Sequence, residues 1–177
     1  MGCSNYDKVD EQRSKNRISY IKCTYYIYNK NFVQIINNKD GNAVNEEIES
    51  KIKIMNGDKI ERLTFMKKFD KIGINIIYFI IEKNLNNTSF MFSKCSSLKE
   101  IEFISFDTTD VTNMNSMFKG CYELEYLDLT TFNTTNVNDM GFMFQGCYKL
   151  KGIKGINNFN TINVVNMNSM FKHCDEL

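Results

Sequence analysis

Polar and apolar residues along this chain follow two rhythms, one on either side of residue 86. Before it, strand-length runs rich in Ile, Tyr, Phe and Thr recur at Ile18–Tyr28, Phe32–Ile36, Ser50–Met55, Arg62–Phe69 and Asn75–Glu82. β-Branched and aromatic side chains suit a pleated, half-buried surface, and turn signals such as Lys39-Asp40-Gly41-Asn42 and Asn56-Gly57-Asp58 part the runs. The pattern predicts a small antiparallel sheet of about four or five strands over residues 18–85, with one helical turn at Asn45–Ser50. Residues 1–17 are polar and charged and predict a flexible tail.

After residue 86 the chain repeats itself. The string Met-Phe-x-x-Cys-x-x-Leu occurs at Met91–Leu98, Met117–Leu124, Met143–Leu150 and Met170–Leu177, with cysteines at 95, 121, 147 and 174. Further columns keep phase: Phe106, Phe132 and Phe159; Val111, Val137 and Val164; Met114, Met140 and Met167; Thr108, Thr134 and Thr161. The third unit carries one extra residue between Ile153 and Phe159, read as a bulge near Gly155. A unit this short cannot bury a core alone, so units must stack. Leu124, Leu127 and Leu129 end their unit as a short strand. Met140, Met143, Phe144 and Cys147 fall at i, i+3, i+4 and i+7, which predicts about two helical turns over Asp139–Cys147. The fold class expected is an α+β repeat: a short leucine-rich-repeat solenoid of about three units over residues 86–177, with a strand plus short helix per roughly 26 residues. It is C-terminally uncapped, and the sheet of residues 18–85 forms an N-terminal antiparallel β-rich cap domain, or alternatively an independent binding module.

The unit LEYLDLTTFNTTNVNDMGFMFQGC, Leu124–Cys147, resembles the repeat of BspA-like leucine-rich-repeat proteins, a bacterial surface protein repeat family. The resemblance covers residues 90–177 and implies a surface or interaction protein, with no catalytic residues to carry over.

Composition removes several function classes. The net charge of +1 leaves no electrostatic footprint for nucleic acid. A single His, His173, leaves His-based metal sites and catalytic triads without material, and no Gly-rich loop follows a strand to cradle phosphate. Cysteines placed one per unit form a row, which cannot converge on zinc as four ligands must. They are expected as a buried column of free thiols, with the methionine columns packed beside them. The Thr and Asn columns are expected to bond turn backbones to the neighbouring unit. No metal, cofactor or catalytic residue is expected, and the chain is read as no enzyme.

The longest apolar stretch, Ile76–Ile81, is far short of the about 18 residues of a membrane span. Six Cys without an export signal predict an intracellular, reducing compartment, and the sequons at Asn86, Asn87 and Asn133 are then ordinary Asn. The start Met1-Gly2-Cys3-Ser4 offers Gly2 for myristoylation and Cys3 for palmitoylation, the one route to a membrane. Tyr6 in place of the usual small hydroxyl residue argues instead for a plain tail.

Function then falls to the strand face. With Leu124, Leu127 and Leu129 inward, Tyr126, Asp128 and Thr130 point out, beside Glu100 and Glu102 of the unit before and Lys154 of the unit after. The expected function is a non-enzymatic protein-protein interaction module or scaffold binding a protein partner through that face. The alternative is a structural subunit of a larger assembly, docking or self-associating end to end through Met170, Phe171 and Leu177; a surface adhesin fragment is third.

Overall fold

Ile21, Cys23, Tyr25 and Ile27 alternate along β1 (Ser19–Ile27) and are wholly buried, which fixes that face of the strand against the core. The computed structural model describes residues 18–82 and 84–177, so Gly2 and Cys3 lie outside the described residues. Three short strands follow, β2 (Phe32–Gln34), β3 (Lys39–Asp40) and β4 (Ala43–Val44). Then come α1 (Glu46–Lys51), β5 (Ile52–Asn56), β6 (Lys59–Arg62), β7 (Met66–Lys68) and β8 (Gly73–Ile81). The repeats contribute β9 (Leu98–Phe103), β10 (Tyr126–Asp128) and β11 (Gly152–Lys154).

The main sheet has the order β6-β5-β8-β1-β9, antiparallel throughout. Its fifth strand comes from the repeat half: β9 pairs with β1, Cys23 opposite Ile101. The halves thus share one sheet, and one apolar cluster runs from Ile21 to Met170. β10 and β11 pair in parallel beside β9.

The expected α+β fold, a leucine-rich-repeat solenoid with a helix in every unit, does not form. The described residues are mostly antiparallel sheet, and their one α-helix, α1, precedes the repeats. The Met-Phe segments are chains of tight turns. Met117, Lys119 and Cys121 donate their N–H groups three residues back, to Met114, Ser116 and Phe118. Ser116, Phe118 and Gly120 donate theirs to Gly141, Met143 and Gln145 of the next unit, at 2.8–2.9 Å. An α-helix would send every N–H four residues back. Left-handed backbone enforces the difference, in one column at Phe90, Ser116, Phe142 and Ser169 and in another at Lys94, Gly120, Gly146 and His173. Two such residues per turn segment cannot belong to a right-handed helix.

Between units the chemistry repeats. Phe92, Phe118, Phe144 and Phe171 stack with centroids 5.4–5.9 Å apart. Thr108 Oγ1 donates to the Asn133 carbonyl and accepts from the Asn133 N–H, and Thr134 does the same with Asn160. The thiols of Cys121, Cys147 and Cys174 point at the carbonyls of Phe92, Phe118 and Phe144, 3.0–3.1 Å away.

The first repeat has no earlier unit to occupy its carbonyls, and two asparagines take that place. In the next unit, backbone N–H groups fill the carbonyls of Asn113, Asn115, Met117 and Lys119. In the first, Asn45 Nδ2 donates to Asn87 and Ser89, both at 3.0 Å. Asn37 donates its N–H to Met91 at 2.8 Å and its Nδ2 to Ser93 at 3.1 Å. The segment around α1 thus offers the first unit the donors that another unit would.

Candidate functional site

The parallel pair β10–β11, with β9 beside it, brings the sequence-predicted residues onto one face. Glu100 and Glu102 stand on β9, Tyr126 and Asp128 on β10, and Lys154 on β11. In β10 the pattern is exposed, buried, exposed, with Leu127 turned into the core. An open groove of about 570 Å³ crosses these strands, lined by Glu100, Tyr126, Asp128 and Lys154 over the backbone of Gly152 and Ile153. Tyr126 is 63% exposed. Gly152 leaves the flank of its ring open, since a Cβ there would stand 3.6–3.8 Å from the ring.

The carboxylates of Glu102 and Asp128, neighbours on this face, are each met by a lysine. Lys154 Nζ reaches Asp128 at 2.9 Å, and Lys22 of β1 reaches Glu102 at 3.3 Å. Asp128 also accepts from the Thr130 N–H and hydroxyl, at 3.0 and 2.6 Å, so Thr130 closes a turn rather than lining the groove. These Thr130 bonds, with Lys154 beside them, hold the Asp128 carboxyl at about 2. Glu100 alone among the face's acids has no ion-pair partner among the described residues.

Sequence reasoning missed a charge ladder along the same strands. Lys99, Glu125 and Lys151 alternate in sign at the repeat spacing, with Lys151 3.0 Å from Glu125. Glu123 sits between Lys149 at 2.8 Å and the Tyr28 hydroxyl at 3.0 Å. Reading the repeat columns for alternating charge would have found both pairs. Pairs this exposed are screened by water and add little to stability. Lys22 carried no such signal, because it reaches the face through the pairing of β1 with β9.

The second predicted surface is divided. Met170 is buried, Phe171 is 40% exposed while stacked on Phe144, and Leu177 is exposed. Val165 and Ile162, earlier in the same unit, are more exposed still.

Among the described residues Cys23, Cys95, Cys121, Cys147 and Cys174 are free, the last four standing in a row, and no group of three or more His, Cys, Asp or Glu could hold a metal. Burial pushes the thiols of Cys95 and Cys121 well up, and that of Cys147 to about 12. Iodoacetamide at pH 8 should therefore label half-buried Cys174 ahead of Cys95, Cys121 and Cys147, which stay unlabelled until the protein unfolds, as peptide mass mapping would show. Labelling of Cys121 as fast as Cys174 would contradict the burial. The sign of the pH effect follows. Folded thiols hold protons that unfolded ones release above about pH 8.5, so stability is full below that pH and declines above it, by up to about 1.4 kcal/mol per pH unit per thiol.

No helix among the described residues is long and apolar enough to cross a membrane. Comparison with curated proteins and with solved structures gave no match. A family model does match, over residues 64–177, from the strands before the repeats to the last turn. By that match the chain belongs to the family described as "Mycoplasma protein of unknown function, DUF285".

Proposed function

We propose that this chain is a non-enzymatic protein-interaction module that binds a protein partner through the face of β9, β10 and β11. The observation that carries the reading is Tyr126, a large aromatic held in solvent beside Gly152 on a floor of paired strands. Tyrosine is enriched among residues that dominate binding energy, because it adds contact area with little rotamer loss. The buried, unpaired thiols support placing the protein inside the cell. Kinship with the BspA-like proteins is part of the proposal and rests on the repeated string.

Tyr126→Ala tests the reading. The ring supports no core contact, so the melting temperature should stay within about 2 °C while affinity for the partner falls by about tenfold or more. Unchanged affinity at unchanged stability would move the binding site elsewhere. Asp128 makes a less clean target, since its carboxylate holds the Thr130 turn.

A structural subunit docked through the last layer is the second reading, and one observation favours it. Met167 is 48% exposed where its equivalents Met114 and Met140 are fully buried. On size-exclusion chromatography a concentration-independent monomer would argue against docking through this layer.

A further inference from the structure

The strand face does not stop at the repeats. Because β9 also pairs with β1, and β1 with β8, outward-facing residues continue across the main sheet in two rows. The first row runs Tyr78, Lys22, Glu102 on the sheet and Asp128, Lys154 on the repeats, and its acids are met by its lysines. The second runs Ile76, Thr24, Glu100 and then Tyr126, Gly152, with Thr24 itself buried beneath its longer neighbours. At its β8 end two aliphatic side chains stand in water: Ile76 is 50% exposed and Ile74 is 66% exposed, the latter opposite Tyr26. In its middle stands Glu100, in the same groove as the Tyr126 ring and without an ion-pair partner among the described residues. From β8 to β11 the row spans four strand intervals, about 19 Å.

Resting on the interaction-face reading above, we infer that this second row docks a basic amphipathic peptide segment of a partner protein, aliphatic residues over Ile74 and Ile76 and an Arg or Lys against Glu100 and the Tyr126 ring. Each part of the occupant answers a part of the row. Exposed large aliphatics on a sheet mark an association surface. An unpaired carboxylate beside an exposed aromatic ring suits a cation, which gains from the charge and from the ring face together. The neighbouring row repels no such segment, since its charges are already matched. Glu100 in the middle also disfavours the alternatives with phosphate surfaces, nucleic acid and anionic lipid.

The test uses the full chain and three labelled probe peptides of equal length in fluorescence anisotropy. One alternates Leu with Arg, one alternates Leu with Glu, and one alternates Ser with Arg. The Leu/Arg peptide should bind at least about tenfold more tightly than either other probe. Glu100→Lys should weaken it by about tenfold, and Ile74→Ser with Ile76→Ser by a similar factor, while Glu46→Gln leaves it unchanged. Circular dichroism confirms that each variant is folded. Equal binding of the Leu/Glu probe, or no response to Glu100→Lys, overturns the inference. A photo-crosslinking residue at position 126 separates this from the broader reading. Crosslinks in the cell to segments without Lys or Arg would overturn the basic partner and leave the interaction face standing. Absence of any crosslink from positions 126 and 154 would overturn both.

Discussion

Gly155→Ala should destabilise the protein by about 3 kcal/mol or more, lowering the melting temperature by roughly 10 °C. Gly155 has φ +85 and opens the single turn of 3-10 helix Ile156–Asn158, where the third unit accommodates its extra residue. A Cβ there would lie 2.6 Å from the Thr130 nitrogen, 2.7 Å from its Cα and 2.8 Å from the Leu129 carbonyl carbon. All three are backbone atoms of the neighbouring unit, so no rotamer change relieves the overlap. The shift needed would also break the 2.9 Å bond from the Leu129 N–H to the Lys154 carbonyl. Gly120→Ala is the control: it too has positive φ, yet its Cβ would meet nothing closer than 3.6 Å. Only the left-handed strain applies there, about 1 kcal/mol. Urea denaturation of both variants decides the matter; equal losses would show that close approach at Gly155 carries no weight.

Asn45→Ala should lower stability by about 2–4 kcal/mol, since the side chain makes three bonds at once. Its Oδ1 accepts from the Glu47 N–H and caps α1, while its Nδ2 fills the carbonyls of Asn87 and Ser89. The residue is almost wholly buried, so no water replaces the amide when it is removed. Asn45→Asp separates the two roles. It keeps the helix cap but aims a carboxylate at two carbonyl oxygens, so it should be at least as harmful as alanine. Were capping the whole effect, aspartate would restore wild-type stability, because the two residues cap about equally well.

The repeat was legible because stacking imposes one residue type per column. The cysteine, methionine and phenylalanine columns read directly as rows that are buried up to the last unit, and the bulge expected near Gly155 is instead a turn of 3-10 helix. Its local conformation was misread for a definite reason. Consecutive tight turns also return side chains to one side every three to four residues, so Met140, Met143, Phe144 and Cys147 imitate a helical stripe. Gly120 and Gly146, one residue before the end of each proposed helix, read there as ordinary helix stops, and Lys94 and His173 in the same column hid the left-handed pattern further. In the first half, the runs at Ile18–Tyr28 and Asn75–Glu82 became β1 and β8, and Asn45–Ser50 became the capped α1. The pairing of β1 with β9 was not legible, because nothing local reports a partner some 80 residues away. For the same reason the groove's own residues could be named from alternation, while Lys22 and the Ile74–Ile76 extension could not.

The sheet shared by the two halves also sets the kinetics of assembly. Joining β1 to β9 closes a loop of about 80 residues, as the Lys22–Glu102 contact measures, whereas each later unit reaches back only 25–27 residues. The difference in closure entropy is about 1 kcal/mol against the longer loop, and the shorter closures find a template already in place. Formation of the five-stranded sheet should therefore be the slow event, with the turn units zipping onto it in order. Lengthening or shortening such a row of units would alter how slowly the protein unfolds far more than how fast it folds.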